Sequence, residues 1–365
     1  MAKKLGIEKP IFKNKQNITY NYLNSSFEIF KLKNVNNAFY IAFSTIEKTS
    51  LNIYKYDYKT KKYELIQYIK ELNYSDKLIK YFYNPCNNNE YLYILISGTI
   101  YIYLIVNEKK YELIKKIIAT QDVYYSFYSI NYFDIIYNVY NKNIYLITSS
   151  NYWNNQHYIE ITKYNEKKSD IVFSFSFKDN DNFFKKKFLI YKDVYNNKYY
   201  LITKKNYLPQ MIEIKDKYDY YNEDKNFENI YTSRDQLKKL NIFYNNSTNK
   251  YIDIIYGNDS DYLYISNREG NIIIIDLIKK EINKEFKINY GILSFLYFNI
   301  KYILFVTENS ILIYDICLNK IITKYSNIFE NEKINYIKTH SNNENNFHCL
   351  FICGNKTIDY YIMEN

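Results

Sequence analysis

Three histidines, four cysteines and a few acidic clusters are the residues of this 365-residue chain with the means for catalysis or metal binding. His157, His340 and His348 stand apart from any serine or cysteine in a nucleophile setting. His348, Cys349 and Cys353 lie close together. On a strand, however, His348 and Cys349 point to opposite faces. Zinc also wants a second pair of ligands, which is missing. Buried packing is the expected role of those cysteines. Asp179, Asp181 and Asn182 begin like a calcium loop but lack its glycine and distal glutamate. The six glycines are isolated, so no phosphate-cradling loop occurs. No catalytic residue, metal site or cofactor is expected, and the chain does not read as an enzyme.

Lysine is the other chemical resource. The doublets Lys61–Lys62, Lys109–Lys110, Lys167–Lys168 and Lys279–Lys280 each follow an apolar run and fall in a turn. Lys320 stands in a corresponding turn. On one face of a fold they would make a ring of positive charge able to attract an acidic protein, RNA or an anionic membrane. The formal net charge of +10 points the same way. Two facts weigh against it. Asn, Lys, Ile and Tyr are inflated together, as AT-rich coding produces, which discounts the lysines. Arginine occurs only at Arg234 and Arg268, so bidentate phosphate or base readout is not expected. Trp153, the single tryptophan, is a candidate interface anchor. Arg234 joins it, in the stretch Thr232–Leu240 that reads as a short helix with Thr232 or Ser233 as its cap.

The elements that must position these residues are strands. Tyr256–Phe286 holds three short apolar runs, Tyr262–Ser266, Asn271–Leu277 and Ile282–Phe286, with Gly270 supplying a tight turn. Tyr251–Tyr256 precedes them as an inner strand. Tyr302–Thr307, Ile311–Ile316 and Lys320–Tyr325 repeat the pattern about 40 positions later. Tyr and Ile favour strands, and with three prolines and six glycines the turns must use Asn and Asp. Earlier units follow from Phe27 to Ile69, Leu78 to Ile118, Asp122 to Phe177 and Phe188 to Tyr231. In the last of these, Lys217–Asn229 reads as a protruding loop.

Tyr256–Phe286 resembles a WD40 repeat. Ser266 with the turn Arg268–Gly270 matches the stretch before that family's third strand. Ile275–Asp276, Tyr314–Asp315 and Tyr56–Asp57 occupy the place of its Trp–Asp pair. The resemblance implies an all-β fold, a single closed β-propeller of about seven four-stranded blades. Residues 1–16 are expected as a loose basic arm and 17–365 as one domain, with an insertion at about 217–250. The last blade has three strands of its own, and Ile18–Leu23 is expected to complete it. Phe286–Asn289 stands where the phosphoinositide-binding propellers of autophagy carry Phe-Arg-Arg-Gly. The basic pair and glycine are absent, so that activity is not implied.

No apolar run follows the N-terminal lysines and none is long enough to span a bilayer, so no signal peptide or transmembrane segment is expected. The cysteines lack a disulfide framework, which suits an intracellular protein of cytoplasm or nucleus. The expected function is a non-enzymatic scaffold, monomeric by itself, that binds other proteins of an assembly. The alternative is weak binding of RNA or anionic lipid through the lysines.

Overall fold

The strand-forming composition is realised throughout: a computed structural model of the chain is all-β. It describes residues 11–19, 23–45, 51–60, 62–69, 77–118, 129–152, 156–164, 169–178, 188–205, 208–218, 223–230, 235, 252–256, 261–267, 270–290, 292, 294–297, 302–307, 310–326, 336–342, 347–353 and 357–364.

The first described strand is β1 (Ile11–Thr19). Six antiparallel four-stranded sheets follow, each made of consecutive strands. The first contains β2 (Leu23–Phe30), β3 (Ala38–Thr45), β4 (Leu51–Asp57) and β5 (Lys62–Ile69). The second contains β6 (Lys77–Asn84), β7 (Asn89–Ile96), β8 (Thr99–Asn107) and β9 (Lys110–Ile118). The third contains β10 (Ser129–Asn138), β11 (Asn143–Tyr152), β12 (Gln156–Tyr164) and β13 (Ser169–Lys178). The fourth contains β14 (Phe188–Asp193), β15 (Lys198–Lys205), β16 (Leu208–Glu213) and β17 (Phe227–Asn229). The fifth contains β18 (Ile252–Tyr256), β19 (Tyr262–Asn267), β20 (Asn271–Asp276) and β21 (Glu281–Lys287). The sixth contains β22 (Ser294–Tyr297), β23 (Tyr302–Val306), β24 (Ser310–Asp315) and β25 (Lys320–Ser326). A further sheet takes β26 (Tyr336–Asn342), β27 (Phe347–Cys353) and β28 (Thr357–Glu364), and β1 adds to β28. Their register runs from Ile11 opposite Glu364 to Thr19 opposite Thr357, with a bulge between Lys13 and Lys15.

First strands lie side by side: β2 beside β6, β6 beside β10, β14 beside β18 and β18 beside β22. Sheets stacked around their first strands make a β-propeller. The second to fifth sheets are therefore covered on both faces, which explains their continuous apolar runs. In β7, Leu92, Ile94 and Ile96 pack with Tyr40, Ala42 and Ile53 of the first sheet. The alternate residues Tyr91, Tyr93 and Leu95 pack with Phe133, Ile135 and Leu146 of the third. All six β7 residues are buried, each contributing about 1.5–3 kcal/mol relative to exposure. In the same way Ile273 and Ile275 face the fourth sheet while Ile272 and Ile274 face the sixth.

The turns joining first to second and third to fourth strands fall at one end of each sheet, because successive strands run antiparallel. A shared rule builds seven of the described ones. The last residue of the leading strand is Asp or Asn, and its side-chain oxygen accepts backbone N–H groups of the turn. Asn84 accepts from Cys86, Asn107 from Lys109, and Asn138 from Tyr140. Asp193 accepts from Asn196, Asp276 from Ile278 and Lys279, and Asp315 from Leu318. Asp57, at the Trp–Asp place, accepts from Lys59 and Thr60, which holds its carboxyl below the usual carboxylate range. The Asp of that pair is thus a turn cap. In five of these turns the residue just before the next strand is left-handed: Asn88, Lys142, Asn197, Lys280 and Asn319. Asparagine tolerates this backbone and lysine does not. Lys142→Asn is expected to raise stability by about 0.5–1 kcal/mol, seen as a higher urea midpoint; an unchanged or lower midpoint counts against the strain.

Two expectations change. The strand expected at Ile18–Leu23 is β1, which begins at Ile11 and ends at Thr19, while Leu23 opens β2. Ile11–Gln16 is therefore strand instead of loose arm. The bulge and the polar run Lys13–Asn17 broke the alternation that would have marked it. Lys217–Asn229 is not a plain loop. Tyr218 in it is buried, stacked on Phe173, and Glu223–Asn226 forms a 3-10 turn leading into β17. A three-residue outer strand is too short to register as a periodic pattern. Of Thr232–Leu240 only Asp235 is described, so the expected helix lies outside the described residues.

Candidate interaction surface

The same end of the sheets gathers exposed lysines, exposed apolar turn residues and the polar contacts that join one sheet to the next. Lys33 of the β2–β3 turn bonds Tyr83, Asn88 (3.2 Å) and, through its backbone, Glu90 (2.7 Å). Lys55 pairs with Glu108 at 2.8 Å. Asp216 accepts from Tyr145 (2.6 Å), Lys163 (3.1 Å) and Asn143 (3.1 Å), tying the fourth sheet to the third. Tyr191 donates to Asp261 at 3.0 Å, and Lys280 pairs with Glu228 at 2.6 Å.

Burial opposes the charge on Asp216, but the bonds from Tyr145, Lys163 and Asn143 outweigh it and hold its carboxyl below the usual range. A lowered folded value stabilises above the unfolded carboxylate range, and that stabilisation is lost as pH falls through the folded value. As pH falls below about 4, the unfolded carboxylate range, the chain is therefore expected to lose stability, and Asp216→Asn to reduce the loss. The side chain is exposed enough for solvent screening to keep the difference below about 1 kcal/mol. Identical acid melting curves for both proteins would contradict this.

Of the lysines expected as a positive ring, Lys62, Lys109, Lys110, Lys279, Lys280 and Lys320 lie at this end, and three of them have a carboxylate of the chain within ion-pair distance. Lys110 pairs with Glu112, Lys279 with Asp276 and Glu281, and Lys280 with Glu228. Lys62, Lys109 and Lys320 are exposed, with no carboxylate among the described residues within ion-pair distance. Lys61, Lys167, Lys168, Trp153 and Arg234 lie outside the described residues. Of the histidines and cysteines, Cys86 and Cys317 are exposed free thiols. His340 stands opposite Cys349 in the β26–β27 register. Among the described residues no group of three His, Cys, Asp or Glu could hold a metal ion. No described helix is long and apolar enough to cross a membrane.

On the first strands, Lys80 of β6 pairs with Asp134 of β10 at 3.4 Å. Burial opposes its charge, yet Asp134, Tyr132 and Glu28 of β2 outweigh that and hold the ammonium above the ordinary lysine range. An amine held protonated in this way is unsuited to act as a base or nucleophile.

What the sequence reading missed is apolar. Asn138–Asn143 reads Asn-Val-Tyr-Asn-Lys-Asn and Asp193–Lys198 reads Asp-Val-Tyr-Asn-Asn-Lys. They are the first turns of the adjacent third and fourth sheets. Val139 and Tyr140 are 45% and 37% exposed, Val194 and Tyr195 61% and 74%. The Tyr140 ring lies 5.8 Å from that of Tyr199 on β15, so the third-sheet turn leans on the fourth sheet. Ile278 and Leu318 are exposed in the third turns of the fifth and sixth sheets, at the same end. Aligning the two six-residue turns would have found the repeat.

No protein-family model and no curated protein sequence matches the chain. Solved structures do. BBS1N in complex with ARL6DN matches with a TM-score of 0.65 at 7% identity, over 98% of this chain and 97% of that one. Saccharomyces cerevisiae Sqt1 matches with a TM-score of 0.58 at 7% identity, over 98% and 100%. The AfRom2 CNH domain matches with a TM-score of 0.56 at 10% identity, over 95% and 98%. At such identities the likeness establishes the class, a β-propeller, and leaves the particular role to the surface chemistry.

Proposed function

We propose that the chain is a non-enzymatic interaction scaffold: one domain, a ring of seven blades of WD40 type, closed by β1 on β28, that joins a multi-protein assembly inside the cell. The observation that carries the reading is the cluster of exposed valine and tyrosine side chains at the capped turns. The fold does not need them outside, and large amphipathic residues of this kind anchor protein interfaces. The propeller BBS1N, seen in complex with ARL6DN, is a precedent for the class. Closure is supported by the β1–β28 register and by the approach of β26 to β2. The lysine alternative, RNA or anionic lipid, is less favoured because Lys110, Lys279 and Lys280 each have a carboxylate of the chain itself within ion-pair distance, which offsets part of the field.

The test is purification of the tagged chain from its own cells with washes at low and high salt, followed by protein and RNA sequencing. Stoichiometric proteins that survive high salt support the scaffold. Recovery of RNA or acidic lipid alone, lost at high salt, would overturn it.

A further inference from the structure

We infer that the twin turns Asn138–Asn143 and Asp193–Lys198 form one docking surface for an extended acidic peptide segment carrying an aromatic or branched apolar side chain. The inference deepens the scaffold reading and rests on it.

The polar residues of both turns are consumed in shaping them. Asn138 and Asp193 cap the backbone. Asn141 donates to Tyr145 at 2.7 Å, and Asn196 donates to Asp193 at 2.8 Å. Lys142 and Asn197 take the left-handed position. The two middle positions take no part in those caps, and apart from the edge of Tyr140 that meets Tyr199 their side chains face solvent. The equivalent turn of the second sheet, Asn84–Asn89, carries Pro85 and Cys86 there, so turn geometry does not demand a Val–Tyr pair. Its repetition on neighbouring sheets, pointed at solvent, places two apolar anchors side by side.

Charge selects the partner. The carboxylates nearby are already engaged: Asp193 by Asn196, Asp216 by Tyr145, Lys163 and Asn143, and Glu213 by Lys198. Lys142 and Lys192 are exposed, with no carboxylate among the described residues within ion-pair distance. Lys192 Nζ sits 5.9 Å from the Tyr140 ring centroid and 6.0 Å from that of Tyr199. Apolar tips flanked by exposed ammonium groups complement acidic side chains on either side of an apolar one. No arginine lies in these turns, so bidentate phosphate or base readout is absent and nucleic acid fits less well.

A random twelve-residue peptide library displayed on phage, selected on the full chain, tests this. Enriched peptides are expected to place Asp or Glu around an aromatic, Leu or Ile residue. A synthetic peptide of that consensus should lose roughly tenfold or more in affinity for Tyr140→Ser/Tyr195→Ser, and similarly for Lys142→Glu/Lys192→Glu. Thermal melting of each variant comes first. Should the Tyr140 change disturb Tyr199 and the fold, Tyr195→Ser alone serves, because Tyr195 is 74% exposed. The inference is overturned by enrichment without acidic residues, by no enrichment, or by peptides indifferent to both pairs of substitutions. It is equally overturned if poly(U) RNA or phosphatidylserine vesicles bind these turns in preference to the peptide. None of those outcomes touches the salt-resistant purification, which decides the scaffold reading separately.

Discussion

Gly270→Ala is expected to destabilise the chain by about 2–5 kcal/mol, a large part of the 5–15 kcal/mol typical of a domain. Gly270 sits at φ +82°, where a side chain strains the backbone. A Cβ there would also lie 2.1 Å from the Ile288 carbonyl oxygen and 2.7 Å from that of Tyr290. Both obstacles are backbone and cannot swing aside. The Gly270 carbonyl accepts the Ile288 N–H at 2.9 Å, so retreat would break that bond as well. Ile288 belongs to the core between the fifth and sixth sheets, which carries the damage inward. Gly270→Asn should fail as badly, since asparagine relieves the φ strain but still brings a Cβ. That separates this site from position 142, where asparagine should help. Urea unfolding followed by tyrosine fluorescence measures both; a Gly270→Ala midpoint equal to the parent contradicts the geometry.

The second large effect is expected from the terminal strand. β1 occupies the outer side of β28 along nearly its whole length. Removing residues 1–22 strips that ladder and leaves β28 with an open edge. At about 0.5–1.5 kcal/mol for each lost hydrogen bond the cost reaches several kcal/mol, and an open strand edge invites association with other copies. The shortened chain should melt earlier and aggregate, and residues 1–22 supplied as a peptide should restore part of the loss. Melting at the parent temperature without aggregation would mean that β1 does not close the ring.

How far the sequence could be read depended on where each residue's partners lie. Ile272–Ile275 announced a strand covered on both faces, and it is one. The Asp residues at the Trp–Asp place were visible as a recurring position, but their work as caps appears only when Oδ1 is seen against the turn N–H groups. Left-handed sites were legible where they hold Asn88, Asn197 and Asn319, and hidden where they hold Lys142 and Lys280. Of the lysine doublets, Lys109, Lys279 and Lys280 lie in turns, whereas Lys62 and Lys110 open β5 and β9. The pairing of Lys280 was invisible because Glu228 is 52 positions away and sits on another sheet. β1 was blurred by its bulge, and β17 by its brevity. The Val–Tyr turns were in plain view as a six-residue repeat. Their exposure is not legible there, because in a strand-rich chain Val and Tyr read as core residues.

A partner protein is proposed to bind the capped turns of the third and fourth sheets. Amide hydrogen exchange of the full chain, with and without a protein recovered at high salt, tests this directly. Slowed exchange in peptides covering 138–143 and 193–198, with the opposite turns at 97–98 unchanged, is the predicted result. Protection confined to the opposite turns, or none on either set, would contradict it.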